Sequence, residues 1–148
     1  MSEDGWYKTG DMVSMDKDGY LYHFGRLSNA ERWKINSRVV YSISMESVLM
    51  THPHVRFSMV IGTDNGKGHD LNYVIEPAPD STLTFEEIKK FSVEKMYNSQ
   101  EWPTRIFFYS YDDMPKTSGS RPKVHRKAMT EVIAKRVQAD PSDGATNL

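Results

Sequence analysis

The chain has no cysteine in its 148 residues. That absence excludes disulfides, thiolate nucleophiles and Cys-ligated zinc, and it suits a reducing, cytoplasmic setting. It also has no apolar run approaching the roughly 18 to 20 residues that cross a bilayer, so no transmembrane helix is expected. The first residues, "MSEDGWYKTGD", lack a basic start and an apolar stretch and do not read as a secretory signal. Net charge is nearly absent too: it is −1, with 26% charged and 38% hydrophobic residues. Those proportions belong to a soluble globular chain rather than a disordered one. The length fits one ordinary domain with a short appendage, and no internal repeat is visible.

The small net charge hides an uneven distribution. From Asp64 to Asp113 there are ten acidic and five basic residues, whereas Met114 to Arg136 holds seven basic residues and a single acid, Glu131. The densest stretch is "MPKTSGSRPKVHRKAM", residues 114–129, with Lys116, Arg121, Lys123, Arg126 and Lys127 and no acid. Concentrated charge of this kind acts locally. It fits a solvated or anion-binding loop, a nucleic-acid patch, or a loop that brings one lysine to an anionic substrate. Nucleic-acid recognition usually interleaves exposed aromatics with the cations. Here Phe107, Phe108, Tyr109 and Tyr111 precede the patch instead of interleaving with it; composition ranks a solvated or weakly anion-binding loop first, nucleic acid second and a catalytic loop third, and leaves all three open.

Patterning gives the elements. "DMVSMDKDGYLYHFG" reads as a hairpin around Asp18-Gly19. "LSNAERWKINSR" is polar and aperiodic and reads as a loop or linker. "SISMESVLMTHP" places Met45, Val48 and Leu49 at helical spacing and ends before Pro53. "VRFSMVIGT" and "DLNYVIEP" are expected strands joined by "DNGKGH". Thr84 followed by Glu87 is a capping box opening a second helix, with Phe85, Ile88 and Met96 on its apolar stripe. "RIFFYSY" is a further strand. After the basic loop a helix is expected from about Arg126, with Met129, Val132, Ile133 and Val137 on one face. "ADPSDGATNL" is small and polar and reads as a tail. The expected class is α+β: a small mixed sheet flanked by helices, preceded by a separate β-hairpin.

Several motifs do not survive inspection. "GTDNGKGH" has three residues between Gly62 and Gly66 where a P-loop needs four, and no helix follows to receive a phosphate. "DKDG" lacks the later acid of a calcium loop, so it is a turn. His52 and His54 have no third ligand at suggestive spacing, and no metal site is expected. No Ser-His-Asp arrangement can be argued.

Three stretches in order carry a resemblance. "DGWYKTGDMVSMDKDGYLYHFGR" resembles the "GW-x-x-TGD … DGYL … GR" segment of the adenylate-forming superfamily, which comprises acyl- and aryl-CoA synthetases, nonribosomal-peptide adenylation domains and luciferases. "SMESVLMTHPHV" is similar to the opening helix of that superfamily's C-terminal lid domain. "MPKTSGSRPKVHRKAM" is similar to its closing motif, a Pro-Lys-Thr, a Ser/Gly turn, a lysine and a basic helix start. The resemblance covers nearly the whole chain.

It implies an ATP-dependent ligase of the acyl/aryl-CoA synthetase or adenylation-domain kind, with this chain as one part of it and inactive alone. Residues 1–27 would be the terminal hairpin of a missing N-terminal adenylation domain, 28–138 the C-terminal lid, and 139–148 a flexible tail or linker. Lys123 takes the place of the catalytic lysine. Asp11 matches the carboxylate that accepts the ribose hydroxyls, and Arg26 the arginine that approaches ribose and phosphates. Ser28 takes the hinge position, with Asn29 or Ala30 as alternatives because the segment is longer than usual. Lys34 and Ser37 belong to the loop serving the second half-reaction, where Ser37 stands for the family's glycine. ATP with Mg is implied, held mainly by the missing domain, and coenzyme A or a carrier-protein pantetheine is the implied acceptor. The implied partners are the large domain, a carboxylic acid and a carrier protein, with no membrane. The closing turn is longer than usual and Pro122 replaces a glycine, which leaves Arg121 and, less favoured, Lys116 as alternatives to Lys123. A stand-alone binding module, using its basic loop for an acidic partner or nucleic acid, is the competing reading.

Overall fold

The computed structural model describes residues 3–27 and 31–147. Its centre is a three-stranded mixed sheet in the order β5 (Val55–Asp64), β6 (His69–Pro77), β7 (Arg105–Phe108). β5 and β6 are antiparallel, and β6 and β7 are parallel. A parallel pair needs a long crossover, and α2 (Phe85–Lys95) supplies it.

Both faces of this sheet are covered, which explains why β5 and β6 read as nearly continuous apolar runs. Val60, Leu71, Tyr73 and Ile75 join Met45 and Leu49 of α1 (Ser42–Leu49) and Ile88 of α2 in one core. Met59, Ile61, Val74 and Phe107 join Met129 and Ile133 of α3 (Arg126–Ala139) in the other. Alternate residues of each strand thus serve opposite cores.

Two hairpins precede the sheet. In the first, β1 (Asp11–Met15) pairs with β2 (Leu21–Arg26). Its turn is organised by Asp16, whose Oδ1 accepts the Asp18 and Tyr20 N–H groups at 3.0 Å each. Gly19 takes φ +86° there. The "DKDG" stretch is therefore a turn, built by an aspartate that mimics backbone. The second hairpin corrects the sequence reading. "LSNAERWKINSR" holds β3 (Arg32–Ile35), which pairs with β4 (Arg38–Tyr41), a strand that begins at the last residue of that stretch. The pair is hidden in the sequence because only one face of it is buried, through Trp33 and Val40, while Lys34 and Val39 are exposed.

The expected tail is also corrected. Residues 140–147 pack along the outer edge of β7. Ile106 N–H donates to Gly144 O at 2.9 Å, Ala145 bridges Arg105, and Thr146, 2% exposed, donates its hydroxyl to Pro103 O at 2.6 Å. Gly144 has φ +69°, and a Cβ there would lie 2.6 Å from Ile106 O. Small residues are needed for this close approach, so their run does not mean a loose end. Arg136 fastens the segment through its ion pair with Asp143.

The capping box of α2 is present in both directions: Glu87 accepts from Thr84 N–H at 2.8 Å, and Thr84 Oγ1 accepts from Glu87 N–H at 3.3 Å. Hydrogen bonds from the Thr84 N–H and hydroxyl hold the Glu87 carboxyl below its usual 4.5. His52 packs edge-on against Phe91 of the same helix at 4.8 Å between ring centroids. Burial, and then the neighbouring His54, hold its pKa below the usual 6.5. Both groups bind protons more readily in the unfolded chain. Their stabilisation is therefore complete above those usual values and is lost as pH falls through the lowered ones. The thermal midpoint is expected to decline first as pH drops below about 6.5, through His52. Melts across this range should show that His52→Gln removes this first step and leaves the carboxylate step at lower pH. An unchanged first step in the variant would discard His52 as its source.

Candidate active site

Asp11 and Arg26 lie far apart in sequence but are direct register partners across β1 and β2. Arg26 Nε sits 3.3 Å from Asp11 Oδ1, and His23 Nε2 is 3.7 Å from the same oxygen. A further Arg26 nitrogen donates to Thr9 O at 2.9 Å. The result is a carboxylate and a guanidinium presented together, with Asp11 one-third exposed and Arg26 more than half exposed. One group can accept hydroxyl protons and the other can meet an anion.

Arg26 is tied to the body as well. Its N–H donates to Glu31 Oε2 at 3.3 Å, and Glu31 Oε1 lies 3.6 Å from Arg126 Nε. Arg126 is otherwise structural: it donates to Glu46 Oε1 at 2.7 Å and to Val60 O at 2.8 Å. Glu46 in turn accepts the Val60 N–H at 2.8 Å. One of the five cations of the basic stretch is thereby consumed in joining α1, β5 and α3.

The basic stretch is a two-sided ribbon. Thr117 N–H donates to Lys123 O at 2.8 Å, and Lys123 N–H donates to Thr117 Oγ1 at 3.1 Å. His125 N–H donates to Pro115 O at 2.7 Å, and Lys116 bridges Val124 between them. α3 starts immediately after, with His125 Nδ1 accepting the Ala128 N–H at 3.1 Å. Lys116 is engaged: its ammonium lies 3.1 Å from Asp112 Oδ1 and 4.9 Å from the Tyr111 ring centre. Lys123 is exposed, and no acid pairs with it among the described residues. Lys123 is thus held by its backbone, through Thr117, while its side chain has no acid partner among the described residues.

Lys34 and Ser37 sit on the β3–β4 hairpin. Asn36 and Ser37 form its two-residue turn with φ +45° and +68°. Both central residues of such a turn need positive φ, and glycine is preferred at the second. Ser37 adopts the glycine conformation while carrying a Cβ. The hairpin tip borders a cleft of about 440 Å³ lined by Lys34, Asn36, Ser37, Lys67, Gly68 and His69. Lys67 and His69 were not expected from the sequence, since "DNGKGH" reads only as a turn. Ser28, Asn29 and Ala30, the hinge candidates, lie outside the described residues. Among the described residues no cluster of three or more His, Asp or Glu is arranged to hold a metal ion, and no helix is long and apolar enough to cross a membrane.

No family model matches the chain. Individual proteins do. The oxalate–CoA ligase of Arabidopsis thaliana is 32% identical over 130 residues, which is 87% of this chain and 24% of that protein. The medium-chain fatty-acid–CoA ligase of Escherichia coli is 26% identical over 145 residues, 95% of this chain and 24% of that protein. Among solved structures, an anthranilate CoA ligase in complex with anthranoyl-AMP superposes with a TM-score of 0.70 at 28% identity, covering 88% of this chain and 25% of that one. The chain thus spans about a quarter of the length of the relatives it matches. It belongs to the adenylate-forming superfamily and corresponds to its C-terminal domain.

Proposed function

We propose that the chain is the mobile C-terminal lid of an ATP-dependent carboxylate-activating enzyme, with Lys123 as its catalytic cation. In the first half-reaction a carboxylate oxygen attacks the α-phosphorus of ATP. The bond to the bridging oxygen breaks, pyrophosphate leaves and an acyl-adenylate forms. Negative charge gathers on the phosphoryl oxygens at the moment of transfer, and a prepositioned ammonium in a dehydrated site stabilises it. Asp11 would accept the ribose hydroxyls and Arg26 would face ribose and phosphate. Magnesium would travel with the triphosphate. In the second half-reaction the lid would turn about Ser28 and present Lys34 and Ser37 to a thiol, from coenzyme A or a carrier-protein pantetheine. The thiolate would attack the acyl carbon and release AMP.

The observation that carries this reading is the contrast among the cations. Arg126 and Lys116 are spent on intrachain contacts, while Lys123, Arg121 and Lys127 have no acid partner among the described residues; of these three, Lys123 is the one whose backbone is paired across the ribbon, to Thr117.

The first hairpin supports a large partner domain. Met15, Tyr20, Leu21 and Tyr22 of this hairpin are exposed, and so are Trp6 and Tyr7 ahead of it, each 75% exposed. Large apolar side chains exposed in this number are what a covering partner domain would bury.

Carboxylate-dependent ATP–pyrophosphate exchange tests the reading. The polypeptide that joins this chain to a large adenylation domain should exchange, and this chain alone should not. Exchange that is indifferent to deleting residues 28–138 would sink it.

A further inference from the structure

The ribbon that carries Lys123 has a long, exposed tip, residues 118–122, and its last residue is Pro122. Proline fixes φ and supplies no N–H, so the tip cannot close on itself with the hydrogen bonds a glycine turn permits. Among the described residues one side chain reaches from the body to this tip. Tyr111 donates its hydroxyl toward Pro122 O at 3.4 Å, directly before Lys123. Tyr111 is itself anchored to the sheet. Its ring meets Phe57 of β5 edge-on at 5.8 Å, and its N–H donates to Glu76 Oε1 of β6 at 3.3 Å. Lys116, on the opposite rail of the ribbon from Val124, lays its ammonium over the other side of the arrangement. It lies 4.9 Å from the Tyr111 ring centre and is held by Asp112 Oδ1 at 3.1 Å. Both rails of the ribbon therefore rest on one aromatic post.

Resting on the reading of Lys123 as the adenylation lysine, we infer that Tyr111 and Lys116 are positioning residues. They brace the lengthened, proline-containing ribbon against the sheet so that Lys123 is presented in one orientation. Neither touches substrate. Lys116 acts through its cation–π contact and its pair with Asp112, and Tyr111 acts through Phe57 and Pro122. This assignment gives Lys116 a different task from Lys123 and accounts for two cations so close together in one loop. Misplacing a catalytic group by about an ångström can cost up to about 100-fold in rate, so a brace at this point is worth having even though each of its contacts is individually weak.

The test uses Tyr111→Leu, which keeps an apolar contact with Phe57, and Lys116→Met, which keeps the stem and removes the charge. Lys116→Arg serves as the conservative rescue. In this chain, amide hydrogen exchange at Thr117 and Lys123 is expected to accelerate about tenfold through local opening, with β5 and β6 amides unchanged as the control for folding. In the full-length enzyme, ATP–pyrophosphate exchange should fall by about 3- to 30-fold through kcat, with KM for the carboxylic acid unchanged. Thioester formation from supplied acyl-adenylate should stay at the wild-type rate, and Lys116→Arg should restore both readouts.

Exchange at Thr117 and Lys123 that stays at the wild-type rate would overturn the brace. So would faster exchange with unaltered adenylation, or equal losses in both half-reactions. Lys123→Ala in the same assay separates the two levels. If it leaves adenylation intact, the reading of Lys123 fails and the positioning role falls with it. If it abolishes adenylation while Tyr111→Leu and Lys116→Met are silent, the brace alone fails.

Discussion

Lys123→Ala in the full-length enzyme is expected to slow acyl-adenylate formation by a factor of about 10² or more, the scale of losing one preorganised oxyanion donor. The effect should fall on kcat and kcat/KM together, because the ammonium interacts with charge that develops only in the transition state. KM for the acid should hardly move. Thioester formation from supplied acyl-adenylate should be spared, since by then the phosphoryl transfer is over. Lys123→Arg should recover only part of the loss: it restores the charge but replaces a compact ammonium by a planar fork of different reach. The ribbon geometry makes this a clean substitution. Lys123 is paired to Thr117 through backbone N–H and C=O, and those bonds survive truncation of the side chain. Arg121 is the nearest rival, at the exposed tip. Wild-type adenylation in Lys123→Ala, together with a large loss in Arg121→Ala or Lys116→Ala, would move the catalytic role to that residue. Pyrophosphate exchange and single-turnover thioester assays on the variants decide it.

Much of this molecule was legible because its signals are local. Thr84 and Glu87 specify a helix start through bonds between neighbours in sequence, and the structure has both of them. The runs "SMVI" and "YVI" are apolar at successive positions because both faces of the sheet are covered. The basic stretch is legible as a loop ahead of the last helix from its composition and order along the chain, whereas singling out Lys123 in it rests on the family resemblance. What stayed hidden depends on contacts distant in sequence. The β3–β4 hairpin looked like a linker because its burial rests on Trp33 and Val40 while the residues beside them face solvent. The docked segment after α3 looked like a tail because close packing on β7 demands Gly144 and Ala145, residues that also compose loose ends. Arg126 could not be told from Lys123 by composition. Only the arrival of Glu46, from 80 positions earlier in the chain, shows that this guanidinium is structural. The sequence marks Asp11 and Arg26 singly, and their pairing depends on the register of β1 against β2.

The same dependence on distant contacts makes Gly62 a sensitive point of the fold. Trp33 is 3% exposed, and its indole lies flat against the Gly62 backbone of β5, so close that a Cβ at Gly62 would overlap Nε1, Cε2 and Cδ1 of the ring. Gly62 has no positive φ in this structure, so its requirement is for space and not for conformation. Gly62→Ala is expected to destabilise by about 1–3 kcal/mol through overpacking. Trp33→Ala should cost about 3–5 kcal/mol by leaving a cavity where a large ring was buried. For a chain of this length each kcal/mol lowers the melting midpoint by about 2–4 °C, so thermal melts resolve both. The double variant is the informative one. With the indole gone, the added methyl meets no wall, and Gly62→Ala should become nearly neutral in a Trp33→Ala background. The two losses then fail to add, as residues in contact do. Additive losses would mean that the indole does not rest on Gly62. The contact also bears on the proposed second half-reaction. Trp33 is the buried side chain of β3, and Lys34 and Ser37 follow it on the same hairpin. Loosening Trp33 frees the turn that would meet the thiol while the Lys123 ribbon, built on β5, β6 and α3, keeps its own supports. Gly62→Ala in the full-length enzyme should therefore slow thioester formation more than adenylation, the reverse of Lys123→Ala.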